Sequence, residues 1–234
     1  KDNSVMILQD ALTSFYNSDT LIATIRLLTK LNFNVIVLPY FANGKPLHVK
    51  GYTKLFNKVA RKTAAFIEKA AAYNIPIIGI DPSITLSYRY EYRELGLLKH
   101  TDILLLPEWL NQHSRRLLET HQSNKLRHHT KYRFIPHCTE KTLAPETLKQ
   151  WQHLFACINL ELTPLNTGCC GMAGNYGHEV IHQKDSKTLF NLTWQPHLTH
   201  PNTLLIDGFS CHTQTKRLTQ HHLKHPIEAL LSHL

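Results

Sequence analysis

The chain has 234 residues and a mass of 27.0 kDa, enough for one large domain or two small ones with a full core and no disulfide staples. A hydrophobic content of 42% excludes a disordered chain, and no apolar run is long enough to cross a bilayer. The formal net charge of +9 leaves room for anionic partners, but the aromatic residues do not interleave with the basic stretches at 45–62 and 115–133 as a base-stacking platform requires, so nucleic acid is not expected as a partner.

The predicted elements alternate between strand and helix. Residues 5–8 read as a strand, 20–31 as an amphipathic helix and 34–38 as a second strand. A Gly/Pro loop at 43–46 precedes a long helix over 51–73. Residues 75–80 form a third strand, ending at Asp81, Pro82 and Ser83. A helix over 86–97, an apolar strand at 101–106 and a helical connector over 107–123 complete the first half. The His- and Lys-rich stretch 124–131 reads as the linker. The second half repeats the order: strand 133–136, helix 145–158, strand 160–165, helix 175–191, strand 203–206, then helices over 215–223 and 226–234. Such alternation implies βαβ units with parallel pairing and helical connections, an α/β fold in two halves, 1–123 and 124–234.

The loops repeat as well. Asp10 and Gly44 stand as far apart, to within one residue, as Cys138 and Gly171, and Gly44 and Ser83 match Gly171 and Cys211 equally well. Equal spacing of strand-end loops signals an internal duplication, and two pseudo-twofold-related halves would set these loops across one cleft. Ligands of open α/β sheets bind off the carboxyl ends of the strands.

Five cysteines occur, and four of them sit where such a ligand would bind. Cys169 and Cys170 are adjacent and followed by Gly171, Cys138 follows the strand at 133–136, and Cys211 follows the strand at 203–206. Thiolates converging from neighbouring strand ends suit a soft metal ion or an iron–sulfur cluster. Cys157, on a helix, reads as core packing. A disulfide framework fits poorly: the count is odd, adjacent cysteines pair badly, and no signal peptide is present, which favours a cytoplasmic setting with at most peripheral membrane contact. His178 is a further candidate metal ligand, although a polar residue at a helix start is the commoner role. Glu179 fits dipole compensation there. His137 and His212 flank two of the cysteines. Asp81, Arg89 and Glu91 could form a buried polar network, and Lys45 and Lys50 could hold a dicarboxylate or simply be solvated.

Taken together these residues resemble the cysteine-rich CCG domain found in heterodisulfide reductase and in the iron–sulfur part of glycolate oxidase. That pattern runs one Cys, then Cys-Cys-Gly, then Cys-x-x-Cys, usually twice. The stretches 9–16, 43–51, 81–83 with 88–92, and 169–179 look like one branch, the large bacterial FAD-linked oxidases that include the D-2-hydroxyglutarate dehydrogenases. The resemblance implies a duplicated CCG region at the C-terminal end of a longer polypeptide. FAD would be held only in the missing N-terminal region, and FAD and ferredoxin-like domains of the same chain, with an electron acceptor, would be the partners. The opening at Lys1 without a Met agrees with a fragment. The first half departs from the pattern: Ala42 and Asn43 precede Gly44, and Asp81, Pro82, Ser83 and Ile84 stand in place of Cys-x-x-Cys, so that half lacks a thiolate set. The second half keeps Cys138, Cys169, Cys170 and Cys211. Four thiolates suffice for one [4Fe–4S] cluster or a single tetrahedral Fe or Zn ion.

The expectation is therefore an iron–sulfur or metal-binding electron-transfer module of a FAD-linked 2-hydroxyacid dehydrogenase. The alternative is a non-catalytic structural module whose cysteines bind zinc or are vestigial. No catalytic residue is assigned. Gly168, Gly171, Gly174 and Gly177 recur every third residue and do not form the Gly-x-Gly-x-x-Gly dinucleotide fingerprint.

Overall fold

The computed structural model describes residues 3–122 and 130–234, so most of the stretch expected to link the halves lies outside the described residues. The chain divides into two compact units, Lys1–His113 and Ser114–Leu234.

The first unit runs β1 (Ser4–Ile7), a π-helical turn at Leu12–Tyr16, α1 (Ser18–Lys30), β2 (Asn34–Val37), α2 (Lys45–Val49), α3 (Thr53–Ala71), β3 (Ile77–Gly79), α4 (Pro82–Arg89), α5 (Glu91–Glu94), β4 (Ile103–Leu105) and α6 (Leu106–Gln112). Its four strands are parallel, in the order β2-β1-β3-β4. The helices form because their apolar residues fall on one face. In α1 the buried positions are Thr20, Ala23, Thr24, Leu27 and Leu28; in α3 they are Phe56, Ala60, Thr63, Ala64, Ile67 and Ala70. Both series follow the three-to-four-residue helical repeat. The face of α3 packs into a core with Met6, Leu38, Ile77 and Ile103 from the sheet.

The second unit holds α7 (Ser114–Gln122), β5 (Lys131–Ile135), α8 (Cys138–Leu143), α9 (Glu146–Ala156), β6 (Glu161–Pro164), two 3-10 turns at Tyr176–His178 and Val180–His182, α10 (Gln183–Thr193), further 3-10 turns at Gln195–His197 and Pro201–Thr203, β7 (Leu204–Ile206), α11 (Phe209–Thr219) and α12 (Pro226–Ser232). Its three strands are again parallel, in the order β6-β5-β7. A fourth strand is reduced to one parallel bridge between Leu205 and Lys224. Pro226 is the first residue of α12 and Pro107 the second of α6, each helix carrying a Glu that accepts the N–H of its cap, Glu228 from His225 and Glu108 from Leu105.

The registers extend the duplication. Ile7 pairs with Ile78 in the first sheet, and Ile135 with Ile206 in the second. Counting three residues past Ile7 reaches Asp10, and three past Ile135 reaches Cys138; five past Ile78 and Ile206 reach Ser83 and Cys211. The loop residues matched by spacing therefore occupy matching positions in the two sheets.

Several helices differ from their expected bounds. The helix expected over 86–97 starts at Pro82, because Asp81 caps it by accepting the Ile84 N–H at 3.0 Å, and it breaks at Tyr90. The Gly/Pro loop turns directly into α2 after Gly44, whose φ of 79° is left-handed. The connector over 107–123 is interrupted at His113. The helix expected over 175–191 begins only at Gln183, since left-handed Gly171, Ala173 and Gly174 hold the preceding chain in turns. The helix expected from 215 begins at Phe209, which brings Cys211 into its first turn.

Candidate metal centre

Each cysteine of the set is delivered by the carboxyl end of a strand in the second sheet. Cys138 opens α8 just after β5, Cys169 and Cys170 lie in the loop after β6, and Cys211 is in the first turn of α11 after β7. Parallel strands put these three loops at one edge of the sheet.

The loop after β6 is shaped by close contact with α10. A Cβ on Gly168 would meet Thr193 Cγ2 at 2.7 Å, and one on Gly177 would meet Ser186 Oγ at 2.6 Å. Thr193 Oγ1 donates to the Cys169 carbonyl at 2.8 Å, and Trp194 Nε1 donates to the Gly168 carbonyl at 3.1 Å. Gln214, buried on α11, reaches Ser186 Oγ at 2.8 Å. Lys141, on α8, donates to the Thr167 carbonyl and so ties the helix of Cys138 to the loop of Cys169.

Within this frame the four thiols are near enough to shift one another's ionisation in series, Cys138 with Cys169, Cys169 with Cys170 and Cys170 with Cys211. Interactions with Cys138 and Cys170, together with the Gly171 N–H at 3.3 Å and the nearby His137, hold the Cys169 thiol well below the usual range. The same interaction with Cys169 raises Cys138, ahead of burial, and interactions with Cys169 and Cys211 raise Cys170. Cys169 thus becomes a thiolate before Cys138 and Cys170. Cys170 and Cys211 are buried against Ile135, Met172, Phe190 and Trp194, whereas Cys138 and Cys169 are half-buried. Among the described residues, no group of three or more His, Cys, Asp or Glu side chains stands in an arrangement that could hold a metal ion.

The other sequence candidates lie elsewhere. His178 is exposed at the end of its 3-10 turn and is not among the groups that shift the ionisation of Cys138, Cys169 or Cys170. Cys157 is half-buried at the end of α9, 3.7 Å from His153 Nε2, and so is not the core residue expected from its helix. His137 caps α8, its Nδ1 accepting the Thr139 N–H at 3.2 Å, and packs so tightly on Gly208 that a Cβ there would lie 2.2 Å from its ring. His212 is buried one residue after Cys211.

Sequence reading passed over a carboxyl pair beside the thiols. Glu140, on α8, and Asp207, after β7, are both buried and close enough for Glu140 to act on the Asp207 carboxyl, and Asp207 Oδ1 accepts the His137 N–H at 2.8 Å. Burial first, and Glu140 second, push the Asp207 carboxyl well above the usual range, so the pair retains a proton. An Asp directly after a buried strand was the available signal for Asp207; nothing in the sequence marks Glu140 as its partner.

At the matching positions of the first unit the donors are oxygens. Asp10 is buried and accepts from Leu12 N at 2.7 Å, Thr13 N at 2.8 Å and Thr13 Oγ1 at 2.5 Å. Asn43 bonds Ser87 Oγ at 3.0 Å and accepts the Lys45 N–H at 2.9 Å. Asp81, Arg89 and Glu91 do not form the single network expected. Asp81 caps α4, Arg89 pairs with Glu108 and donates to the Ile103 carbonyl, and Glu91 pairs with Lys45. Lys50 is exposed.

No family model matches the chain. It is similar over its whole length to curated bacterial enzymes. It is 39% identical, over 99% of its residues, to D-2-hydroxyglutarate dehydrogenase of Haemophilus influenzae, and 37% identical, over its full length, to D-2-hydroxyglutarate dehydrogenase of Pseudomonas putida. The match takes in 23% of each of those proteins, so the chain spans just under a quarter of the length of these relatives, in which the corresponding region is part of a larger polypeptide. A more distant similarity, 28% identity over 80% of the chain and 48% of the relative, links it to one subunit of the anaerobic glycerol-3-phosphate dehydrogenase of Escherichia coli. No described helix is long and apolar enough to cross a membrane.

Proposed function

We propose that the chain is the electron-transfer module of a larger FAD-linked 2-hydroxyacid dehydrogenase, with D-2-hydroxyglutarate as the substrate and the cytoplasm as its setting. The relatives' names support the reaction, and their greater length leaves room for the flavin outside this chain. The observation that carries the reading is the delivery of four mutually interacting thiols by three strand ends at the carboxyl edge of one parallel sheet.

The donor set fits a soft centre. Four sulfurs and no oxygen in the group itself suit a [4Fe–4S] cluster, or a single Fe or Zn ion, better than a hard cation. Cys138, Cys169, Cys170 and Cys211 would be the ligands. An iron–sulfur cluster bound there exchanges single electrons. The protein's own contributions follow from the geometry. Cys169 offers a thiolate before any group binds. The Gly171 N–H aimed at its sulfur stabilises negative charge and favours reduction of what is held there. Cys170 and Cys211 close the apolar side, while half-buried Cys138 and Cys169 leave the route by which an electron reaches a partner. The proton that Asp207 retains keeps the Glu140–Asp207 pair from placing two negative charges beside the thiols.

A second reading is a non-catalytic structural module whose cysteines bind zinc or are vestigial. Anaerobic purification followed by iron, zinc and acid-labile sulfide assays separates the two. The electron-transfer reading expects a brown protein with about four iron and about four sulfide per chain. Zinc without sulfide, or colourless protein that takes up neither iron nor sulfide on reconstitution, would overturn it.

A further inference from the structure

Two buried residues tie the carboxyl ends of β5 and β7 together. Asp207, the first residue after β7, accepts the His137 N–H through Oδ1 at 2.8 Å. The ring of His137 lies against Gly208, where a Cβ would stand 2.2 Å from ring atom Cδ2. His137 Nδ1 accepts the Thr139 N–H at 3.2 Å, so Nε2 carries the ring hydrogen, and Nε2 is 3.4 Å from Ser210 Oγ. The same contacts set the starts of two helices. The His137 carbonyl accepts the Lys141 N–H in α8, and the Gly208 carbonyl accepts the His212 N–H in α11, each at 3.0 Å. Cys138 and Cys211 lie inside those first turns. The placement of His137 on Asp207 and Gly208 therefore sets the distance between the backbones of the two cysteines.

The first unit provides an internal comparison. Ile7 and Ile78 match Ile135 and Ile206, so Gln9, Gly79 and Ile80 stand where the second unit has His137, Asp207 and Gly208. In the first sheet the ladder simply continues: the Leu8 N–H donates to the Ile78 carbonyl at 2.9 Å, and Gln9 Nε2 donates to the Leu38 carbonyl at 2.7 Å. In the second sheet Pro136 stands in place of Leu8 and has no N–H to donate. The ladder ends there, and the Asp207 side chain takes the next N–H, that of His137. The unit that carries the thiols has the histidine, the aspartate and the glycine; the unit without the thiols has none of the three at these positions.

We propose that Asp207 and His137 are positioning residues that clamp the Cys138 and Cys211 loops at the spacing a shared centre needs, a role that rests on the reading of the cysteines as ligands. They act through the two loops and are not ligands themselves. Three substitutions separate the parts of the clamp. Asp207→Asn keeps Oδ1 as an acceptor, and Asp207→Ala removes it. Gly208→Ala leaves the acceptor in place but drives a methyl group into the His137 ring; φ of −89° at Gly208 suits alanine, so backbone strain adds nothing. Gly208→Ala also tests the clamp if Asp207→Ala does not fold. Leu230→Ala, a truncation of a fully buried side chain on α12, is the control for lost stability alone.

Amide hydrogen exchange in the metal-free chain reads the clamp directly. The His137 N–H should exchange at least about tenfold faster in Asp207→Ala than in the parent or Asp207→Asn. Anaerobic reconstitution of the same proteins then reads its consequence, through bound iron and sulfide and the electron paramagnetic resonance spectrum after reduction. Parent, Asp207→Asn and Leu230→Ala should bind about four iron per chain and share one spectrum. Asp207→Ala and Gly208→Ala should hold less than about half as much iron, or show an altered spectrum. Equal exchange at His137, or parental iron and spectrum in Asp207→Ala and Gly208→Ala, would overturn the positioning role. Equal losses in Asp207→Asn or in Leu230→Ala would overturn it too, because the acceptor would then not be what matters. If the parent takes up zinc in place of iron, zinc stoichiometry gives the same comparison. A parent that takes up neither metal would reject the ligand set, and the positioning role with it.

Discussion

The α carbon of Gly171 lies so close to the carbonyl of Ser186 that a Cβ at position 171 would stand 2.2 Å from that oxygen. The contact is with backbone at the start of α10, which cannot rotate aside, and Gly171 is also left-handed at φ 84°. Gly171→Ala should therefore destabilise the chain by at least about 2 kcal/mol, the left-handed conformation contributing part and the displaced helix the rest. Thermal unfolding monitored at Trp194, which bonds the same loop, would read the loss. A melting temperature equal to the parent's would mean that the loop does not approach α10 this closely.

Cys169 should react first with an alkylating agent. Two thiol donors and a backbone N–H favour its thiolate, whereas Cys138 and Cys170 are held as thiols. The rate at Cys169 should change little between pH 6 and pH 8, while an ordinary thiol slows about tenfold for each unit of acidification below its pKa. Peptide mass spectrometry after brief treatment with iodoacetamide, in metal-free protein, gives the order. Equal labelling of Cys138 and Cys169 at pH 6 would remove the basis for placing the Cys169 thiolate ahead of Cys138.

Cys170→Ala and Cys157→Ala should separate the set from the outlier. Cys170 interacts with two other thiols and is buried in the core with Phe190, whereas Cys157 sits at a helix end with His153. After anaerobic reconstitution, the first variant should lose more than about half of the bound iron and the second should match the parent, since three thiolates do not complete a four-thiolate site. Loss of iron in both, or in neither, would count against the assignment of ligands.

The strand-end motif of the second unit was legible because its residue types are unusual. Adjacent cysteines before glycine, each set after an apolar run, mark loop positions that periodicity alone places at the sheet edge. The duplication was legible in spacing, and the sheet registers reproduce it through Ile7 with Ile78 and Ile135 with Ile206. Helix starts were less legible. Phe209 begins α11 although Gly208 and Ser210 read as loop, because His137 packs against Gly208 and fixes the turn from a distant element. The Glu140–Asp207 pair was invisible for a related reason: two carboxyls meet only when α8 and the end of β7 are brought together in space.

Asp10 should make stability depend on pH. Burial first, and the charge of Asp81 second, raise its carboxyl to about 6 in the folded chain. A raised acid binds its proton more tightly when folded than when unfolded. Its stabilising contribution is thus fully present below about pH 4 and is lost as pH rises through about 6, by as much as about 3 kcal/mol. Asp10→Asn keeps an acceptor for the Leu12 and Thr13 N–H groups but carries no charge. Subtracting its unfolding free energies from the parent's between pH 4 and pH 7 should isolate the slope. A flat difference curve would show that Asp10 ionises normally.

The last expectation concerns the order of electron flow in a full-length enzyme containing this chain. If the thiols lie downstream of the flavin, Cys170→Ala should slow delivery of electrons to a dye acceptor far more than it slows flavin bleaching by D-2-hydroxyglutarate. Hydride abstraction needs an acceptor that side chains do not supply, so the isolated 234-residue chain should oxidise no 2-hydroxyacid even after reconstitution. Stopped-flow absorbance follows the two steps separately, flavin reduction in the first phase and acceptor reduction in the second. The thiols touch the first phase only if a metal held by them also binds the hydroxyacid. A variant that is folded and flavin-loaded but fails to bleach would therefore move the cysteine site from electron exit to substrate chemistry. It would leave the ligand set intact while rejecting the conduit role.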